Sequence, residues 1–300
     1  IDQNTQSKDM HLFKPKLSYR TKGNWGKESL TEGTNLPNGV IVHFNIKDFD
    51  HDKDNVSLHF KEQDGTLIKT YSNLDEENLL EVNSGGNSFV WDTLYEGAET
   101  LDSMIFWSAS FSGAKAIPGK YKVVLEKNKK YQEQDFEILP DPRAEVTVSQ
   151  MRSQFDFVNK VNVTVDKAHK AIKNIRSIRT KLEEFESNFQ NNENANSLID
   201  MSNALNSSLT EIEKALYQTK NRSRQDPLNF PIKLTNKLGH LNRLVTNNDF
   251  PPTNQDEMVR KVLTEEVENH LAKYEKLISQ DLKNFNKEFA NLNLDYLKIN

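Results

Sequence analysis

The chain has 300 residues, no cysteine, and a net charge of −5 from 39 basic and 44 acidic residues mixed along its length. That charge offers no positive field for nucleic-acid phosphates, and no apolar run approaches the roughly 18 residues needed to span a bilayer. The missing cysteines exclude disulfides, thiolate metal sites and cysteine nucleophiles together. Length predicts about two domains. Opening at Ile1 with neither an initiator Met nor a signal segment, the sequence reads as a processed product or an excised piece.

Residues 1–36 show no clear period and are expected to form an irregular lead-in packed on a neighbour. From Val40 apolar residues alternate, as in Val42, Phe44 and Ile46, then Val56, Leu58 and Phe60, the pattern of half-buried strands. Further strands are expected over 66–71, 79–82, 88–92, 104–111, 121–127 and 131–139. Asp64-Gly65, Gly85-Gly86-Asn87, Pro118-Gly119 and Asn128-Lys129-Lys130 mark turns between them. About seven or eight short strands over 37–139, with no helical pattern among them, predict an Ig-like β-sandwich.

Three features of this half invite a chemical reading. The string Asp48, Asp50, Asp52, Asp54 resembles the start of a calcium loop, but Lys53 and His59 stand where that loop needs Gly and Glu, so a solvated hairpin loop is favoured. Pairing Ile46 with Val56 would set His43 opposite His59 on the outer face. Two imidazoles without a third ligand read first as an exposed, structurally neutral pair, so the expectation is no metal and no cofactor. Phe89 and Trp91 share a strand face, which predicts a buried aromatic pair; sugar stacking would require exposed rings.

Ten of the eleven glycines precede residue 146, and Leu139-Pro140-Asp141-Pro142-Arg143 bars a helix or central strand from running through, which places the domain boundary there. Beyond it, over 145–300, apolar residues recur every three or four positions. One helix is expected from about Val148 to Gln190, and a second through Leu198, Leu205, Leu209 and Leu216 after an Asn-rich break. Pro231 can open a third helix through Leu238 and Val245. The fourth begins at Thr253, with Asp256 completing a variant capping box. Two very long helices flanking two shorter ones predict an antiparallel bundle.

No P-loop, Gly-x-Gly-x-x-Gly, His-Glu-x-x-His or Gly-x-Ser-x-Gly occurs. Glycoside hydrolysis needs two carboxyl groups about 5 to 9.5 Å apart, or a tyrosine nucleophile with a base and an arginine cluster. Before residue 146 the only arginines are Arg20 and Arg143; Tyr217 with Arg222 and Arg224 is the one arrangement that mimics the second kind of site. The segment Tyr217–Leu238 is the least generic. Lys220, Arg222 and Arg224 lie in a connection bent at Asp226-Pro227 and Phe230-Pro231, longer than a plain bundle loop.

That segment, with Lys8-Asp-Met-His-Leu-Phe-Lys-Pro-Lys16, Tyr19-Arg20, Pro37-Asn-Gly-Val40, Asn87-Ser-Phe-Val-Trp-Asp92, Pro118-Gly-Lys-Tyr121 and Leu139-Pro-Asp-Pro-Arg143, resembles the C-terminal region of large bacterial BNR-repeat proteins. Those are sortilin-like, sialidase-like proteins commonly labelled glycosyl hydrolases. The resemblance implies a β-propeller ahead of an Ig-like domain and helices, and an extracytoplasmic setting, periplasmic, surface or secreted. The propeller's Ser-x-Asp-x-Gly-x-x-Trp box is absent here, so a propeller substrate site lies outside the segment. The expectation is therefore a non-catalytic accessory region that packs on or orients the propeller of its parent chain. Lys220, Arg222, Arg224, Gln225 and Asp226 are its contact residues, and glycan or another protein is a further partner. The alternative is an autonomous carbohydrate-binding or glycoside-hydrolysing unit, which a solvent-facing row of Trp25, Trp91 and Trp107 would favour.

Overall fold

A computed structural model describes residues 7–21, 31, 33, 36–102 and 104–292; the protein is a mixed β and α fold. The chain divides into two compact units, Ile1–Glu96 with Ser112–Phe155, and Gly97–Phe111 with Asp156–Asn300. The first unit thus runs past the double proline at 140 and 142.

The β unit holds eight strands: β1 (Met10–Leu12), β2 (Ser18–Arg20), β3 (Val40–Ile46), β4 (Val56–Glu62), β5 (Leu67–Ser72), β6 (Gly85–Trp91), β7 (Gly119–Lys127) and β8 (Lys130–Pro140). A three-stranded sheet has the order β1-β3-β6 and a five-stranded sheet the order β2-β8-β7-β4-β5. All neighbours are antiparallel except β2, which lies parallel to β8. Val40, Val42, Phe44 and Ile46 bury one face of β3, and Val56, Leu58 and Phe60 one face of β4, in a core common to both sheets. The indole of Trp91 in β6 stacks on Phe60 of β4 at 4.5 Å, which joins the two sheets through a pair of aromatic rings. Asn128 and Lys129, both at positive φ, form the two-residue turn between β7 and β8.

Three expectations for this half fail. Residues 10–12 and 18–20, expected to be irregular, supply edge strands; three residues are too few for an alternation to register. Arg20 is drawn inside because its guanidinium donates to the carbonyls of Lys115 and Ala116. Residues 79–82 form only an isolated bridge from Leu79 to Ser72, although Leu80 and Val82 are buried. β3 and β4 are not a hairpin, since they belong to different sheets.

The helical unit contains α1 (Val148–Phe189, its first turns in the β unit), α2 (Asn196–Leu216), α3 (Leu234–Val245), α4 (Asn254–Lys276) and α5 (Lys283–Asn291), the last two joined by a π-helical turn over Leu277–Leu282. Their stripes meet in one apolar core, from Val161, Val165 and Ile172 to Leu209, Leu238 and Val267. Thr147 and Gln150 exchange hydrogen bonds at the start of α1, and Thr253 with Asp256 makes the capping box of α4. Pro231 does not open α3, which begins at Leu234; its carbonyl instead accepts from Gln218 Nε2 at 2.8 Å. No helix among the described residues is long and apolar enough to cross a membrane.

Residues 97–111 replace the expected strand 104–111. Among the described residues they form neither strand nor helix, bending at Trp107 and Ser108, with Leu101, Met104, Phe106 and Phe111 on the helical core. Helix side chains provide the hydrogen bonds a strand neighbour would give. Tyr217 Oη accepts from the Ile105 N–H, Asn236 bonds both backbone groups of Trp107, and His240 Nδ1 donates to the Ser108 carbonyl. The Ser110 N–H reaches the carbonyl of Gly239, and a Cβ at Gly239 would stand 2.6 Å from the Phe111 ring, so only glycine allows this approach.

Candidate functional site

The least generic part of the sequence is held by its own side chains. At the end of α2 the chain turns extended at Tyr217, whose ring packs edge-on to Phe106 and under the guanidinium of Arg176, 5.5 Å from the ring centre. Asn221 Nδ2 donates to the Ile105 carbonyl, so Tyr217 and Asn221 hold both sides of residue 105. Gln218 spans the connection to Pro231, and the Lys220 ammonium lies over the Phe230 ring. Asp226 opens a 3₁₀ turn, Asp226–Leu228, with Pro227 in its first turn. Its carboxylate accepts from the backbone N–H groups of Arg222 and Ser223 and from Ser223 Oγ. These bonds, first the one from Arg222 N–H, hold the Asp226 carboxyl below its usual range.

The five expected contact residues are therefore split by role. Asp226 is spent on the loop itself. Lys220, Arg224 and Gln225 are exposed, and Arg222, also exposed, lines a recess of about 430 Å³. Residues that sequence reasoning passed over line the same recess: Arg176 and Arg179 from α1, and Glu213 from α2. The Glu213 side chain is only 4% exposed; Arg176 Nε donates to its Oε1 at 2.8 Å and Arg179 Nη1 to its Oε2 at 3.0 Å. Arg179 Nε also donates to Asn206 Oδ1. A signal was present: Glu213 falls four residues after Leu209 and four before Tyr217, in the buried register of α2. A carboxylate there requires cations on the facing helix.

Chemically the recess presents three guanidinium groups and an ammonium, which can attract negative charge. Both oxygens of Glu213 are taken by guanidinium groups, and Tyr217 Oη already accepts a backbone hydrogen bond, with none to Glu213 among the described residues. Arg222 Nη1 donates to the carbonyls of Thr219 and Asn221 and has no carboxylate partner among the described residues.

The metal candidates do not converge. His43 lies across from Ser88 and is exposed, whereas His59, in the other sheet, is bonded to Thr70 Oγ1 and Glu126 Oε2. The stretch 47–55 crosses between sheets instead of closing a hairpin, which removes the register that would have paired them. In that stretch Asp50 accepts from the Asp52 N–H and the Lys53 ammonium, Asp54 accepts from the Asp50 N–H, and the Asp48 carbonyl accepts from Lys127. No group of three or more ligating side chains that could hold a metal exists among the described residues.

Trp91 is buried and Trp107 is 42% exposed, while Trp25 lies outside the described residues. A second recess, of about 790 Å³, lies in the β unit, lined by Phe13, Leu17, Tyr19, Ile41 and His43. Its lining also carries Lys14, Lys16, Thr21, Asn38 and Asn87, and no ion pair joins its lining residues among the described residues.

No family model and no curated protein matches the chain. Among solved structures it is similar, at 13% identity and a TM-score of 0.14, to one described as pT26-6p. The alignment covers 80% of this chain and 47% of that one, so the chain spans about half the length of that structure.

Proposed function

We propose that this chain is a non-catalytic interaction region: an Ig-like β-sandwich followed by an antiparallel helical bundle, at the C-terminal side of a larger extracytoplasmic BNR-propeller protein of the sortilin-like, sialidase-like kind. It packs on the propeller or orients it. The observation that carries this reading is the bracing of the 217–231 connection by Asp226, Gln218 and Asn221, which presents Lys220, Arg222, Arg224 and Gln225 on a backbone already fixed. Pre-ordering lowers the entropy lost on docking, and guanidinium groups so held suit bidentate contacts. The test is titration of the chain with the propeller segment of its parent. The expected result is association that Lys220→Ala with Arg224→Ala weakens about tenfold or more; association unchanged by the pair refutes this docking face.

Hydrolysis by Tyr217 is the second reading, favoured by the presence of Glu213 and three arginines in its recess. The engaged hydroxyl and the fully bonded Glu213 argue against it. Turnover of fluorogenic sialosides, hexosides or hexosaminides that vanishes in Tyr217→Phe would establish it.

A further inference from the structure

We propose that the recess between α1, α2 and the 217–222 connection binds a carboxylate side chain from an acidic segment of a polypeptide partner, a step that rests on the interaction reading above. The lining carries four cations, Arg176, Arg179, Lys214 and Arg222, against one carboxylate, Glu213. In a chain whose overall charge is −5 that is a local inversion of sign. Glu213 shows what the wall accepts: a planar carboxylate with one guanidinium on each oxygen. Lys214 has an ion-pair partner in Glu211, and Arg176 and Arg179 have theirs in Glu213. Arg222, exposed, is the lining cation whose guanidinium makes no ion pair among the described residues: Asp226 beside it takes the backbone N–H, and Nη1 donates to carbonyls.

Two further features favour a polypeptide over a simple anion. The positive charge does not stop at the rim: Lys220 and Arg224 continue it along the exposed connection, a length that suits successive acidic side chains. The wall also holds an acceptor, Asn221 Oδ1, that is buried and without a hydrogen-bond partner. A peptide brings backbone N–H donors beside its carboxylates, which a free dicarboxylate lacks.

The experiment titrates the full chain with fluorescently labelled hexaglutamate, with hexaglutamine as its uncharged counterpart, and with glutarate and inorganic phosphate as free-anion competitors. The expected result is hexaglutamate binding at least about tenfold tighter than hexaglutamine, weakened by salt, and reduced about fivefold or more in Arg222→Gln. Arg222→Gln changes an exposed side chain and leaves the Glu213 pairs intact, so a folding failure does not confuse the reading; an unchanged thermal melt checks this. Equal binding of both peptides, displacement by glutarate or phosphate as effective as by unlabelled hexaglutamate, or binding indifferent to Arg222→Gln overturns the proposal. Propeller association measured in parallel separates the two ideas. Association that survives while hexaglutamate fails to bind leaves the docking face standing and removes the acidic-segment receptor. Hexaglutamate bound through Arg222 without propeller association does the reverse.

Discussion

Asn236 on α3 bonds both backbone groups of Trp107: its Oδ1 accepts from the N–H and its Nδ2 donates to the carbonyl, each at 2.8 Å, across 129 residues of sequence. One side chain thus satisfies the donor and acceptor that a neighbouring strand would satisfy. Asn236→Ala is expected to destabilise the helical unit by about 1–3 kcal/mol. Urea midpoints followed by tryptophan emission measure this, and an Asn236→Ala midpoint equal to that of the parent protein contradicts it.

Gly239 sets a second, steric condition on the same contact. Alanine in a helix interior normally gains up to about 1 kcal/mol over glycine. Here the added methyl would stand 2.6 Å from the Phe111 ring and 2.8 Å from the Ala109 Cβ, and such overpacking costs about 1–3 kcal/mol. Gly239→Ala is therefore expected to lower the melting temperature, and Phe111→Leu in the same chain to recover part of the loss. A more stable Gly239→Ala protein would refute the close approach.

His169 gives the helical unit a pH dependence. It is almost fully buried beside Phe106 and Phe111, its Nδ1 donates to the Glu99 carbonyl, and its Nε2 has no partner. Burial, first among the causes, holds its pKa below the ordinary histidine value, assisted by Arg176 and opposed by Asp166 and Glu99. With the folded-state pKa depressed, the unfolded chain binds the proton more readily. The contribution is complete above the ordinary pKa near 6.5 and declines as pH falls from there toward the folded-state value. The urea midpoint should drop between pH 7.5 and 5.5, by less in His169→Gln; equal drops in the two proteins would remove His169 as the cause.

Lys127 plays the corresponding part in the β unit, buried with its ammonium on Asp9 Oδ1 and the Asp48 carbonyl, and 3.7 Å from Asp54. Lys127→Met leaves two carboxylates without their shared cation and is expected to cost about 1–3 kcal/mol, less than for a fully buried pair because Asp9 is half exposed. The Asp9 carboxyl is held below its usual range, first by the hydrogen bond from Lys127. That contribution is present above the ordinary carboxylate pKa and lost as pH falls through the lower folded-state value, so the gap between parent and variant should narrow in acid. A constant gap from neutral pH to pH 3 would place the loss in packing instead.

What the sequence reveals follows from what periodicity can encode. The alternation at Val40–Ile46 and Val56–Phe60, and the stripes of α1 and α2, report burial on one face, and those elements form where the pattern puts them. Pairing is a different matter. Nothing in Lys47–Asn55 distinguishes a turn that closes a hairpin from one that passes to another sheet, and the expected His43–His59 pair was lost on that point. Met104–Phe111 has the composition of a strand because it is half-buried, but its neighbours are Asn236, Tyr217 and His240, distant in sequence and invisible to a local pattern. At the recess, the exposed cations stood out as a cluster in one loop. Arg176, Arg179 and Glu213 are spread over two helices, where no cluster in the sequence marks them.

The route of residues 97–111 also governs the order of events during synthesis. Trp107 leaves the ribosome 129 residues ahead of Asn236, an interval of about 6 to 26 s at ordinary elongation rates. Phe106 and Phe111 can meet His169 once α1 has been made, but the backbone groups of Trp107 wait the whole interval for Asn236. The nascent chain therefore carries an incompletely partnered, hydrogen-bond-hungry loop for seconds before α3 exists, and slow codons or a chaperone acting between residues 111 and 236 would change the yield of folded protein more than the same delay placed anywhere after α3.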